Sequence, residues 1–265
     1  MSPSQRHSRF GDALSVDALI DAALAEDLGA GDVTSQMTVP EGAAGEAEIF
    51  AKATGVVAGV KVAAAVFRRF DPRLELEVDV ADGDAVVPGD RVLRVTGSLE
   101  SILGAERTAL NFLGRLSGIA TAARSFVDTL EGTGCRVLDT RKTTPGWRVL
   151  EKQAAASGGA VNHRAGLYDM VLIKENHIRS AGGVEPALAA SLGPARQSGL
   201  EVEIEVSDLG ELEQALAGET AEARPDRILL DNMSIDQLER AVTRVRAIEP
   251  PRPLLEASGG VTLET

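Results

Sequence analysis

From residue 135 onward, short apolar runs alternate with helical patterns, and this alternation constrains the fold more than any other feature of the chain. The runs are CRVLDT, AVNHR, MVLIKE, VEIEVS, RILLDN and PLLEAS, and the patterns between them include GWRVLEKQAAAS, DLGELEQALAG and SIDQLERAVTRVR. Two parallel strands need a long crossover between them, and a helix supplies it, so the alternation predicts parallel β/α units. Six such runs fall short of the eight units typical of a full β/α barrel of ~250 residues, which predicts a smaller, incomplete or open parallel α/β barrel.

Each apolar run ends on polar residues. Arg141 and Lys142 follow CRVLDT, His163 and Arg164 end AVNHR, and Lys174 follows MVLI. Glu203 and Glu205 lie in VEIEV, Asp231 follows RILL, and Ser258 follows LLEA. A charge that terminates an apolar barrel strand points into the rim where barrel active sites are built. The expectation is a functional rim rather than a set of unconnected surface ion pairs.

The first hundred residues read differently. SVDALIDAALAEDL places Ser15 as an N-cap before apolar residues at helical spacing, and the helix should end at Gly29. The runs GEAEIFAKA, TGVVAGV, LELEVDV and RVLRVTG are separated by turn signals and interrupted by one helical segment, KVAAAVFRRF. These predict an N-terminal α+β, sandwich-like domain. A long helical pattern, SILGAERTALNFLGRLSGIATAARSFVDTL, then links the two parts and is expected to break near Gly118. The predicted division is residues 1–115 for the N-terminal domain with its linking helix and 116–265 for the barrel domain.

The formal charge is -13, yet the positive charge is concentrated. Between Arg136 and Arg179 eight basic residues face four acidic ones, so this segment is +4 and the remainder of the chain is -17. Such an acidic balance argues against extended binding to nucleic acid or anionic membrane, both of which need a broad basic surface. A local positive field inside an acidic protein can instead focus a small anion into a cleft. Arg141, Lys142, His163, Arg164 and Lys174 suit a compact ligand with more than one carboxylate or phosphate, because guanidinium groups grip such groups in a bidentate fork. Glu203 and Asp231 carry hard oxygens that suit Mg²⁺ held partly through water and substrate, with pairing to nearby cations as the competing explanation. The Ser258-Gly259-Gly260 turn, read as preceding a helix, offers backbone N–H groups to a phosphate.

Other residues narrow the chemistry. The single cysteine, Cys135, excludes an internal disulfide framework and a cysteine-based zinc site, and its apolar surroundings predict a buried structural thiol. His163 and His177 have no third ligand at zinc-motif spacing, which favours anion contact or hydrogen bonding. Trp147 and Tyr168 could wall a pocket for a planar ring or simply pack. The N-terminus MSPSQRHSRFGDALS, which includes His7, lacks the apolar core of a signal peptide, and no stretch is long and apolar enough to span a bilayer, so the expected location is cytoplasmic.

Taken together, these motifs make the chain resemble the quinolinate phosphoribosyltransferase family, also called nicotinate-nucleotide pyrophosphorylase (carboxylating). The resemblance rests on LAEDLGAGDVTS at 24–35, ERTALNFLGRLSGIAT at 106–121, DTRKTTPGWRVLEKQAAASGGAVNHRAGLYDMVLIKENHI at 139–178, VEIEVSDLGEL at 202–212, LLDNMS at 229–234 and LEASGGV at 255–261. It implies that quinolinate reacts with phosphoribosyl pyrophosphate, with Mg²⁺, to give nicotinate mononucleotide, pyrophosphate and CO₂.

By the same resemblance, Arg141, Lys142, His163, Arg164 and Lys174 hold the carboxylates of quinolinate, with Lys142 and Lys174 able to serve either substrate. Arg107 reaches the same pocket from a neighbouring subunit of a homodimer. Glu203 and Asp231 face the ribose hydroxyls and Mg²⁺, and Ser258, Gly259 and Gly260 hold phosphate. Lys142, Lys174, Glu203 and Asp231 form the implied catalytic set. Family members usually continue past the SGGV turn through a further helix and strand, so the resemblance also implies a shortened C-terminal end. Three alternatives remain: a related phosphoribosyltransferase with another acceptor, such as the molybdenum-locus homologue; a barrel lyase using Lys174 as a Schiff-base amine; and a non-catalytic anion-binding protein.

Overall fold

The computed structural model describes residues 15–218 and 220–264. The N-terminal stretch through Leu14, with His7, lies outside the described residues, and so do Glu219 and Thr265. Contacts divide the chain into two units, one up to His163 and one from Arg164 onward.

The first unit opens with helix α1 (Val16–Leu28), capped by the Ser15 hydroxyl, which accepts from the Ala18 N–H at 3.1 Å, and closed at Gly29. Asp32 caps the short helix α2 (Val33–Thr38) in the same way. An antiparallel sheet of order β1-β5-β3 follows, built from β1 (Ala44–Phe50), β3 (Glu75–Val78) and β5 (Arg91–Ser98). Its strands alternate as a half-buried sheet must. Ala47, Ile49, Leu76, Leu93 and Val95 join the core. On the other face Glu48 and Glu77 both pair in register with Arg94, and Arg91 bridges Glu48 and Asp79. A two-stranded ribbon of β2 (Gly55–Val56) and β4 (Ala85–Val86) lies between these strands in sequence.

Two helices complete the apolar core of this unit: α3 (Val60–Phe70) and the 31-residue α4 (Leu99–Thr129). Phe67, Ile102, Phe112 and Leu116 are almost fully buried there. The break expected near Gly118 is absent, and α4 runs straight through it. Side chains flanking that glycine hold the helix to β2 and the segment just after it: Thr121 Oγ1 accepts from the Val56 N–H at 2.9 Å and Ser117 Oγ accepts from the Ala58 N–H at 3.0 Å. These contacts and the buried apolar face outweigh the ~1 kcal/mol that one glycine costs a helix. Helix α5 (Arg148–Ser157) then packs in the same unit.

Two expected strands do not form as ladders. CRVLDT and AVNHR meet only at a single parallel bridge, Leu138 with Val161. Around that bridge the Val161 N–H donates to the Val137 carbonyl at 2.8 Å and the Asp139 N–H to the Val161 carbonyl at 3.1 Å, and bonds to the Asp139 carboxylate add to them. Cys135 lies outside any strand and is exposed, so the expectation of a buried thiol is corrected: CRVL begins in an irregular segment just after Gly134, before the chain reaches that bridge.

The second unit is a parallel sheet in chain order, β6-β7-β8-β9. Its strands are β6 (Val171–Ile173), β7 (Val202–Val206), β8 (Arg227–Asp231) and β9 (Leu254–Ser258). Its helices are α6 (Glu175–Ala181), α7 (Val184–Gln197), α8 (Leu209–Leu216) and α9 (Ile235–Arg246). Ile173, Val202, Ile204, Val206, Ile228 and Leu230 form one buried cluster with apolar residues of these helices. Side chains alternate along a strand, so residues 172, 203, 205, 229, 231, 256 and 258 belong to the opposite face. The mixed α/β architecture expected from the sequence is therefore present, with a small antiparallel sheet first and a parallel sheet second.

Candidate functional site

The expected site residues divide between the two units. Arg107, Arg141, Lys142 and His163 belong to the first, and Arg164, Lys174, Glu203, Asp231, Ser258, Gly259 and Gly260 to the second.

In the first unit the site is built on the segment DTRKTT, residues 139–144. Asp139 is its anchor. The Asp139 carboxylate pairs with Lys152 Nζ, with both side chains less than a tenth exposed, and accepts the His163 backbone N–H at 2.8 Å. Asn162, in the amide orientation that satisfies its neighbours, donates to Asp139 Oδ2 at 2.7 Å and to the Lys152 carbonyl at 3.0 Å. The far end is held by Glu151, which accepts the Thr144 N–H at 3.1 Å and Arg115 Nε at 3.1 Å. Burial pushes the Glu151 carboxyl up, but Arg115 and Thr144 outweigh it and hold the group below its ordinary range.

Between these anchors the cations are unspent. Several arginines of this unit have carboxylate partners: Arg69, Arg73, Arg91, Arg94 and Arg115. Among the described residues Arg141 and Lys142 form no ion pair, and Arg141 Nε is buried without a hydrogen-bond partner. A buried donor left unmade is costly, so it marks a place where an acceptor is expected from outside the chain. Arg107 is exposed on α4, and the ion pairs that could have explained it, with Glu100 or Glu106, do not form. Trp147 packs: its ring stacks on Phe112 with centroids 4.7 Å apart, and Arg115 lies 5.6 Å over it. Tyr168, in the second unit, is 67% exposed.

In the second unit the polar residues share the sheet face opposite the helices. Lys174 follows β6 and caps α6; its Nζ donates to Glu205 Oε2 at 2.6 Å. His177 Nδ1 accepts the Lys174 backbone N–H at 2.9 Å, so this histidine serves the cap. Glu203 is not a strand-end residue. It sits near the start of β7 and is fully buried. Asp231 does end its strand, and Asn232 Nδ2 donates to its Oδ2 at 2.8 Å. Asp231 and Ser258 are register partners on β8 and β9, and the Asn232 N–H donates to the Ser258 carbonyl at 2.8 Å. The turn that follows can only be glycine: Gly259 has φ +90, and a Cβ there would stand 2.1 Å from Asn232 Oδ1. Gly260 also has positive φ. The helix expected after this turn is not present in residues 261–264. Arg164 lies at the head of a turn closed by Asp169, which accepts from the N–H groups of Ala165 and Gly166 at 2.6 and 3.0 Å.

The structure thus brings Asp231, Ser258 and Gly259 together and puts Lys174 and Glu203 on the same sheet face. It also adds residues that sequence reasoning did not assign to the site. Glu205 was within reach, because VEIEV places it on the same face as Glu203. Asp139, Lys152 and Asn162 were not, because nothing local links residues 13 or more positions apart.

Carboxylate chemistry in the second unit suits a divalent cation. Glu203 and Asp231 both carry the hard anionic oxygens that Mg²⁺ takes together with water and substrate oxygens, but they are not side by side: Glu203 pairs in register with Arg227, four residues before Asp231 on β8.

The chain matches the family model for the quinolinate phosphoribosyl transferase N-terminal domain over residues 32–117 and that for the C-terminal domain over residues 119–265. A probable nicotinate-nucleotide pyrophosphorylase (carboxylating) from Synechocystis is 42% identical over 248 residues, covering 94% of this chain and 81% of the relative. The nicotinate-nucleotide pyrophosphorylase (carboxylating) from Mycobacterium leprae is also 42% identical, covering 92% and 84%. Among solved structures, NadC from Streptococcus pyogenes superposes with a TM-score of 0.87 at 37% identity, covering all of this chain and 87% of its own. The nicotinate-nucleotide pyrophosphorylase from Francisella tularensis gives 0.85 at 36% identity, covering 95% and 87%. With both domain models matched in order along nearly its whole described length, the chain belongs to the quinolinate phosphoribosyltransferase family.

Proposed function

We propose that this chain transfers the phosphoribosyl group of phosphoribosyl pyrophosphate to quinolinate and decarboxylates the product, giving nicotinate mononucleotide, pyrophosphate and CO₂ in de novo NAD biosynthesis. The observation that carries the reading is the pair of adjacent cations, Arg141 and Lys142, without ion-pair partners among the described residues of a strongly acidic chain. Quinolinate presents two adjacent carboxylates, and two adjacent fixed cations are the complementary feature.

In this reading Arg141, Lys142, His163 and Arg164 bind the carboxylates and orient the pyridine nitrogen. Lys174 serves a carboxylate or phosphate. Asp231 and Glu203 meet the ribose hydroxyls, while Ser258 and the N–H groups of Gly259 and Gly260 receive phosphate oxygens. The ring nitrogen then forms a bond to ribose C1 as the bond from C1 to the pyrophosphate oxygen breaks. Positive charge develops at C1, so orientation in line and stabilisation of the departing anion dominate the barrier. Glu203 and Asp231 would hold Mg²⁺, whose contribution when bound is neutralisation of pyrophosphate charge.

The resulting pyridinium nitrogen lies beside the carbon bearing one carboxylate. That carboxylate leaves as CO₂, its bonding electron pair remains on the ring carbon next to the positive nitrogen, and the carbon takes up a proton. No covalent enzyme intermediate is needed.

Arg107 is assigned to the pocket of a neighbouring subunit, which makes the homodimer the working unit. No helix among the described residues is long and apolar enough to cross a membrane, and the assigned substrates are small anions rather than nucleic acid; the cytoplasm is the assigned location. The test is to incubate the purified chain with quinolinate, phosphoribosyl pyrophosphate and Mg²⁺ and to follow nicotinate mononucleotide and CO₂ together. Equal yields, abolished by Arg141→Ala, support the reading. A folded dimer that makes neither product rejects it.

A further inference from the structure

Helix α5 carries two oppositely charged residues side by side, Glu151 and Lys152, and both are buried, at 9% and 6% exposure. Neighbours on a helix point about 100° apart, so they cannot serve each other and must serve different partners. They do. Lys152 Nζ holds Asp139, the first residue of the DTRKTT segment. Glu151 holds Thr144, near its other end, through Oε2 and the Thr144 N–H at 3.1 Å. Arg115 of α4 closes the second anchor, donating to Glu151 Oε1 at 2.5 Å and to the Thr144 hydroxyl. The base of α5 is itself fixed, since Trp147 stacks on Phe112 of α4.

Burying two charges at adjacent helix positions is unfavourable compared with apolar residues of the same size. Their return is geometric. The four-residue span between the anchors holds Arg141 and Lys142, and both of its ends are tied by side chains to one rigid helix, the first also to Val161 through the Asp139 N–H. From this we infer that Glu151 and Lys152 are positioning residues: together they form a two-point staple that sets the Arg141–Lys142 pair at a fixed spacing before a dicarboxylate arrives. Preorganisation of this kind raises affinity because ordering is not left to the binding step. The inference rests on the proposed quinolinate chemistry and adds to it a determinant that touches no substrate.

The test compares wild type with Glu151→Ala, Lys152→Met, Arg115→Gln and Glu151→Gln. Quinolinate binding is measured by calorimetry, turnover by steady-state kinetics with each substrate varied, and folding by the thermal midpoint. The expected loss is about 10- to 100-fold in Kd and KM for quinolinate, the scale of a lost hydrogen bond to a charged group, with kcat and KM for phosphoribosyl pyrophosphate within about threefold of wild type. Glu151→Gln keeps an acceptor for the Thr144 N–H and should recover most of the Glu151→Ala loss. Should Lys152→Met or Glu151→Ala fail to fold, Arg115→Gln decides, because that side chain is 47% exposed and its removal leaves the core intact. Unchanged quinolinate Kd in folded Arg115→Gln, and in Glu151→Ala where it folds, overturns the staple while leaving the proposed reaction standing. So does a parallel loss in kcat and both KM values that tracks the thermal midpoint. A wild-type chain that neither binds nor converts quinolinate overturns the reaction, and the staple with it.

Discussion

Lys174 Nζ and Glu205 Oε2 stand 2.6 Å apart, joining the residue after β6 to the same sheet face of β7. Lys174 is half-exposed while Glu205 is largely covered, so the carboxylate tethers a cation whose remaining N–H groups are open to ligand. Two variants separate the tether from the cation. Lys174→Met should lower kcat/KM about 10- to 100-fold, the worth of one charge-assisted hydrogen bond of roughly 1.5–3 kcal/mol. Glu205→Gln should cost about fivefold or less, since a half-exposed pair contributes about 1 kcal/mol at most. Equal losses in steady-state assays would mean that the two residues act only as a unit.

Gly259 makes the phosphate assignment testable separately from the quinolinate assignment. A methyl group at this position meets Asn232 Oδ1 at 2.1 Å and the Asn232 nitrogen at 3.0 Å, and the backbone is in the left-handed region. Gly259→Ala should therefore distort the turn at a cost of about 1–3 kcal/mol. The expected signature is a raised KM for phosphoribosyl pyrophosphate with quinolinate Kd unchanged by calorimetry. A shift in quinolinate affinity instead would move the turn to the other substrate.

Much of this arrangement is legible in the sequence, and the reasons differ by element. The period-2 run VEIEV and the cap Ser15 carry their structure locally, and the strand and the helix they predict are present. CRVLDT has the same apolar texture, yet it makes one bridge rather than a ladder, because a strand's existence depends on a partner that its own residues do not encode. Gly118 signalled a break that the Ser117 and Thr121 hydrogen bonds to Ala58 and Val56 override. Glu203 was read as a rim residue by counting along an apolar run, whereas register places it near the start of β7 and inside the fold. Cations could be read as a ligand signal because their number is visible in sequence. Which of them already have partners is not, since Lys152 with Asp139 and Arg115 with Glu151 are contacts across turns and helices.

Asp71 links the end of α3 to the start of α4, accepting from the Ser101 hydroxyl at 2.8 Å as well as from Arg73. The Arg73 guanidinium, the Arg73 N–H and Ser101 hold the Asp71 carboxyl far below its ordinary value. A depressed folded-state pKa contributes stability above the unfolded value, near pH 4, and loses it as the pH falls toward the folded value. The thermal midpoint of wild type should therefore exceed that of Asp71→Asn at pH 6, and the gap should narrow steadily as the pH falls from about 4 to about 2 without vanishing there. A gap that stays constant over this range would assign the effect to shape rather than charge.

Arg107 decides whether one chain suffices. It is exposed on α4 and forms no ion pair among the described residues, so within its own chain it has no evident structural task. If it completes a neighbour's pocket, Arg107→Ala and Arg141→Ala disable different halves of the same shared site. Each variant alone should be nearly inactive. Mixed by co-expression, about half of the dimers are hybrid, and each hybrid has one site carrying both lesions and one carrying neither. Activity should then rise to about a quarter of the wild-type value. No rise above the parents, in a preparation whose hybrid dimers are verified by mass, places Arg107 in its own subunit's site or in none, since only an exchange of residues between subunits can rebuild an intact site from two broken chains.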